Sequence, residues 1–267
     1  MKSKIEFTKT PIKDRIFRML SVDLYRMFTT RFFYIMLLIS FAVPILILVM
    51  TTMMDGQVSV DPQTGVETVI EGFDYVWQIF GTVSGAPMAM DLTGMCNINL
   101  MYFAVSVLVC VFVSGDFRSG YAKNIFAVRA DKTDYVVSKS LTCFLASAAM
   151  LLAFILGSLI GGAVASVSFE MVGFGAGGLI LSLISKLLIP LIFVPIYLLA
   201  GVIAKDKTWL SICISLGVGM LLFMMIPALA PLDATVINPI VCLVVGLLAS
   251  LGLGAISRAV LNKTPLV

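Results

Sequence analysis

The chain has 267 residues, 60% of them hydrophobic and only 12% charged, with a net charge of +3, where soluble domains carry roughly 25% charged residues. The apolar excess stands in long uncharged runs, which excludes a soluble globular protein and predicts an integral membrane one. Histidine is absent, which excludes His-ligated haem, His-containing zinc sites, Ser–His or Cys–His nucleophile pairs and HExxH proteolysis.

The five cysteines, Cys96, Cys110, Cys143, Cys213 and Cys242, stand singly without a CxxC pair, so neither a zinc site nor a disulfide framework is expected. No Asp lies deep in an apolar run, as an aspartyl intramembrane protease would need. The chain is therefore expected not to be an enzyme and to bind no cofactor or metal of its own.

Residues 1–31 carry eight Lys and Arg residues and no apolar core long enough for a cleavable signal. They predict an amphipathic helix lying on the membrane, with Thr10 as N-cap and Pro11 at the first helical position. Ile12, Ile16, Met19, Leu20, Leu24, Met27 and Phe28 recur at helical spacing, with Lys13, Arg15, Arg18, Asp23 and Arg26 between them. An apolar face beside a basic one suits an anionic inner leaflet, with Arg15, Arg18, Arg26 and Arg31 toward the headgroups.

Within 32–257, six runs approach or exceed the roughly 20 apolar residues of a membrane span. They are 32–54, 97–113, 141–164, 179–204, 208–226 and 240–257. The second is short and is expected to begin a few residues earlier. The fourth contains Lys186, Pro190 and Pro195, and the prolines predict a kink.

Basic residues set the orientation. Eight precede the first run, five lie in 115–139, two at Lys205 and Lys207, and two in the tail 258–267. The segments 55–96, 165–178 and 227–239 have none, so seventeen of the eighteen bases fall on one side. The positive-inside rule makes that side cytoplasmic. The predicted fold is all-α, with six transmembrane helices, both termini cytoplasmic and an N-terminal interfacial helix.

The outer loop 55–94 carries Asp55, Asp61, Glu67, Glu71, Asp74 and Asp91 and no base. "DPQTG" at 61–65 is a turn, and the flanking "VSV" and "VETVI" predict a small hairpin. An acidic cap could attract cationic substrate, but acids also accumulate outside simply because bases are excluded. Gly157/Gly161, Ser158/Gly162 and Gly246/Ser250/Gly254 are small residues four apart, a spacing that permits close helix contact and dimerisation.

The segment 114–139 interrupts the apolar chain with bases, acids and a glycine turn. Phe117, Tyr121, Ile125, Phe126 and Val128 recur at helical spacing, predicting a short amphipathic helix between spans two and three. "GDFRSG" has the glycine spacing of a phosphate loop, but Tyr121 and Ala122 stand where Lys and Ser/Thr are required. Any energy source lies in another chain.

The order Asp116, Gly120, Lys123-Asn124, Tyr135 and Lys139, leading into an apolar run, resembles the membrane subunits of type-2 ATP-binding-cassette (ABC) exporters. In that family an acid, a glycine and a Lys-Asn pair follow the second span. A Ser-Arg turn, an aromatic and a Lys then precede the third. This chain departs at the turn, with Asp131-Lys132 for Ser-Arg and Arg129 where a glycine is frequent.

The resemblance implies two permease subunits, identical or paralogous, and two separate cytoplasmic ATPase subunits that carry ATP and Mg. It implies a multi-pass protein of a bacterial plasma membrane, in contact with lipid and with no nucleic-acid partner. The 114–139 loop becomes a coupling helix seated in the ATPase through Asp116, Phe117, Arg118, Gly120, Tyr121, Lys123, Asn124 and Phe126. Asp116, Arg118 and Lys123 are the polar contacts, with Tyr121 and Phe126 as apolar anchors. Family members of this size export, or protect against, antimicrobial peptides such as bacteriocins, and others extrude drugs.

Lys186 is the one ionisable residue inside a span and the one candidate for a transport pathway. Burial at the midplane would cost about 2.5–3.5 kcal/mol, so its ammonium is expected to snorkel to the outer interface. Sixteen methionines offer adaptable apolar surface, which suits a hydrophobic or amphipathic cargo. Two alternatives are an ion-driven secondary transporter, which needs membrane-embedded carboxylates, and a non-transporting scaffold.

Overall fold

The computed structural model describes residues 12–60, 67–70, 72–85, 96–128 and 132–263. The Thr10 cap, Pro11, the 61–65 turn and Asp91 lie outside them. Helix α1 (Ile12–Thr29) is followed by α2 (Arg31–Met54) and an antiparallel hairpin of β1 (Val58–Val60) and β2 (Glu67–Val69), paired Val58 to Val69. Two 3-10 turns, Val76–Phe80 and Ile98–Leu100, lead into α3 (Met101–Arg118). Then come α4 (Tyr121–Val128), α5 (Thr133–Val164), α6 (Ala176–Leu188), α7 (Pro190–Ala204), α8 (Thr208–Phe223), α9 (Ile226–Leu229) and α10 (Ile237–Lys263).

Among the described residues, five helical segments are long and apolar enough to cross a membrane: Arg31–Met54, Ile98–Arg118, Thr133–Val164, Ala176–Ala204 and Ile237–Lys263. The protein is thus a helical, multi-pass membrane protein. The fifth predicted run, 208–226, forms a helix of only 16 residues. At 1.5 Å per residue that is about 24 Å, short of a hydrocarbon core of about 30 Å.

The second run shifts later, not earlier, because the helix continues through the polar residues to Arg118. The third helix starts at Thr133, eight residues before its apolar run. The polar interruption is therefore mostly helix ends plus α4. In the fourth run the lost N–H of Pro190 separates α6 from α7, while the Ile189 amide still bonds the Ser185 carbonyl at 3.0 Å.

Helices α3, α5 and α7 form the centre. Helix α2 packs along α5, α8 against α3 and α7, and α10 against α7. The α2–α5 contact is made backbone to backbone. A Cβ on Gly157 would lie 2.2 Å from the Phe41 carbonyl oxygen, and one on Gly161 would lie 2.8 Å from Ile45 Cα. Gly246 likewise seats Leu191, and Ser250 donates to the Leu191 carbonyl at 3.1 Å. Both small-residue stripes are used inside one chain.

Gly157→Val is accordingly expected to force α2 off α5 and to cost about 1–3 kcal/mol, as overpacking does. Gly252→Val is the control, because a Cβ there meets nothing within 4 Å. Melting temperatures in detergent should fall for the first variant and stay near the parent for the second.

Candidate functional site

The end of α3, the starts of α4 and α5 and the middle of α1 converge on one buried cluster of charges. Gly120 makes the convergence geometrically feasible. Its φ of +74° is left-handed backbone, which favours glycine, and it turns the chain from α3 into α4 within two residues. The amides of Ser119 and Gly120 close the turn on the Gly115 and Phe117 carbonyls at 3.0 and 3.3 Å.

Lys139 sits at the centre, with 0% of its surface exposed. Its Nζ lies 2.7 Å from Asp23 Oδ1 on α1 and 2.7 Å from Asp116 Oδ2 on α3. Asp23 also accepts from the Ser138 hydroxyl at 2.6 Å, and Asp116 from the Tyr135 hydroxyl at 3.0 Å. Arg26 closes the set, its Nη2 2.8 Å from Asp116 Oδ1. Two acids and two bases balance, as burial demands.

Aromatic faces line the cations. The Arg26 guanidinium lies 3.7 Å from the Tyr121 ring centroid, and Lys139 Nζ lies 4.0 Å from that of Phe112. These are cation–π distances. Partial burial works against the charge on Arg26, but Asp116 and a hydrogen bond with Tyr121 outweigh it, so its pKa is raised. Partial burial and the charge of Asp23 push the Tyr121 hydroxyl up, against the pull of Arg26.

A second tie runs alongside. Arg15 grips Asp134 at the start of α5 through both carboxylate oxygens, at 3.1 and 3.2 Å. Lys132, between α4 and α5, donates to the Leu261 carbonyl near the end of α10. Phe126 meets Tyr135 edge-on, with centroids 5.1 Å apart. Helix α4 is thereby joined to α1, α3 and α5, and the start of α5 to α10.

The residues singled out in the sequence divide into two groups. Arg118, Lys123 and Asn124 are exposed on the outer side of the α3–α4 turn, as are Arg18 and Arg31 on α1 and α2. Phe117 and Tyr121 are half-buried. Asp116, expected to touch a partner, is instead fully enclosed, because Lys139, Arg26 and Tyr135 occupy both its oxygens. Phe126 packs inward on Tyr135, so it anchors α4 to its own bundle.

Arg15 and Arg26, placed toward lipid headgroups by periodicity, face Asp134 and Asp116. Asp23, placed on the polar face of α1, is the middle of its buried face, flanked by Met19 and Met27. Asp116, Tyr135 and Lys139 are among the residues whose order stands out in the sequence. Their partner Asp23 stands 116 residues before Lys139, beyond the reach of local spacing.

Lys186 lies at the far end of α3 from this cluster, about 20 Å away at 1.5 Å per residue. It does not snorkel. It has 0% exposure, and its Nζ has no hydrogen-bond partner among the described residues. The Tyr102 hydroxyl donates to its carbonyl at 3.0 Å, and the Tyr197 hydroxyl donates to that of Tyr102 at 3.2 Å. These bonds fix the backbone from which the ammonium projects.

Between α5, α7 and α10 lies a groove of about 590 Å³, walled by Val136, Phe144, Leu191, Val194, Leu247 and Leu251, among others. Arg258 and Asn262 stand at its basic end. Comparison with known protein families, curated proteins and solved structures finds no match to this chain.

Proposed function

We propose that the chain is the membrane subunit of an ATP-driven exporter, coupled through α4 to separate ATP-binding-cassette ATPase subunits. In this reading α8 together with the short α9 that follows it completes six spans, both termini are cytoplasmic, and two permease copies or paralogues share one bacterial plasma-membrane complex. The single observation that carries it is the charge cluster. The end of α3 offers Arg118 outward and the short amphipathic α4 offers Lys123 and Asn124, while Tyr121, behind them, is stacked on Arg26 of the buried network.

A partner's push on α4 would reach α3 through Asp116, α5 through Lys139 and α1 through Asp23. Four elements would move as one body, which is what a coupling element requires. The apolar groove between α5, α7 and α10 supports a hydrophobic or amphipathic cargo, an antimicrobial peptide among the candidates. The chain offers no phosphate loop, so ATP and Mg belong to the partner.

A photo-crosslinking amino acid at position 123, activated in native membranes, tests the reading. The expected adduct is an ABC ATPase, with a much weaker yield from position 209, since Trp209 is exposed but lies on α8, away from α4. Adducts only to lipid, or equal yields from both positions, would count against it.

A further inference from the structure

A buried ammonium without an acceptor is an incomplete interaction. Lys186 is held rigidly by Tyr102 at its carbonyl, and Tyr102 itself stacks on Phe193 with centroids 5.3 Å apart. Ser182 and Ser185, one turn and one residue earlier on α6, are buried with it, while Ile180 and Ile184 face outward. In a membrane helix this arrangement is inside-out, and polar groups turned into a bundle mark ligand paths. Asn99 Oδ1, one turn before Tyr102 on the neighbouring chain segment, is a second buried polar atom without a partner among the described residues.

The cover over Lys186 is a strap, residues 75–85. Gly81, with φ of +144°, passes so close that a Cβ there would lie 3.4 Å from Nζ. One side of the strap is held by the Trp77 indole donating to the Phe169 carbonyl at 2.9 Å. The other is held by the Ser84 amide and hydroxyl on Asp233 Oδ1 at 2.8 and 2.7 Å. The strap is seated as well by the buried Val76, Ile79 and Phe80 and by the Leu232 amide on the Thr82 carbonyl at 3.0 Å.

We propose that Lys186 is the acid-recognising residue of a binding site for a monoanionic, carboxylate-bearing amphiphile beneath the 75–85 strap. One ammonium with three donors matches one carboxylate. A phosphate dianion would call for more positive charge than this site holds. The surroundings, including Leu179, Phe80, Ile79 and Phe193, are apolar and buried, so the acid must carry an apolar body. The groove between α5, α7 and α10 begins one turn away, at Pro190 and Leu247, and gives that body a place to lie. That the amphiphile is cargo rests on the export reading; that it binds does not.

The test uses the full chain in phosphatidylcholine nanodiscs, without any ATPase, so the export reading can fail while binding stands. The chain has two tryptophans, and Trp209→Phe leaves Trp77, on the strap, as the reporter. Dodecanoate is expected to change Trp77 emission saturably, while dodecanol and dodecylamine do not. Lys186→Met should weaken dodecanoate binding by about tenfold or more, and Lys186→Arg should retain it. Equal responses to dodecanol and dodecanoate overturn the proposal, whether or not the variants fold, and so does Lys186→Met binding within about twofold of the parent. Full displacement of dodecanoate by phosphatidylglycerol in the disc would make the occupant a resident lipid and overturn it too.

Discussion

Lys139→Met is expected to be the most damaging single substitution in the bundle. It removes the cation shared by Asp23 and Asp116, both of which have 0% exposure, and leaves the buried cluster with an excess negative charge. Arg26 remains 2.8 Å from Asp116 but 3.9 Å from Asp23, so Asp23 keeps little besides the Ser138 hydroxyl. Breaking a buried pair by removing one partner costs about 3–5 kcal/mol. That is a large fraction of the roughly 5–15 kcal/mol that holds a typical domain together.

The loss should be visible as a fall in melting temperature and as proteolysis of a detached α1. Asp23→Asn added to Lys139→Met restores charge balance, since Asp116 and Arg26 then neutralise each other. The double variant should recover part of the loss, with a coupling energy of about 0.5–3 kcal/mol. A single variant as stable as the parent, or a double variant no better than the single one, would show that these charges are not mutually dependent.

Lys186→Met has the opposite sign. The ammonium is buried without an acceptor, and an unpaired Lys within a span costs about 2.5–3.5 kcal/mol on insertion scales. Methionine has similar length, fills the same space and carries no charge. Replacing buried charges by well-packed apolar groups is often stabilising, by about 1–4 kcal/mol. At roughly 2–4 °C per kcal/mol, the melting temperature should rise by about 5 °C. An ionisable residue kept in so costly a place within a span is by default a functional one. A fall in melting temperature would mean that Lys186 already has a favourable partner within the fold.

Apolar run length, which measures continuous burial in lipid, located five helices long enough to span and the broken fourth run at Pro190. It set their ends poorly. Helices α3 and α5 continue into polar residues because Asp116, Tyr135, Ser138 and Lys139 are satisfied by one another, and no local window sees a partner on α1. The same blindness placed Asp23, Arg15 and Arg26 on a solvated or lipid-facing side. Periodicity assigns charges outward by default, and only the fold shows that opposite charges meet. Alternation of Val and polar residues gave the β1–β2 hairpin correctly, because register there is a local property. Lys186 was legible as an anomaly, but its full enclosure depends on the 75–85 strap, which its own helix does not encode.

Affinity isolation of the chain from its native membranes in a mild detergent, in parallel with an Arg118→Glu/Lys123→Glu variant, tests the coupling role most directly. Both positions are exposed and neither takes part in the buried network, so the variant should fold and melt like the parent. An ABC ATPase is expected to co-purify with the parent and to be lost from the variant. Absence of any such ATPase from the parent, or equal recovery with both proteins, would contradict the coupling role of α4 and leave the chain a membrane scaffold.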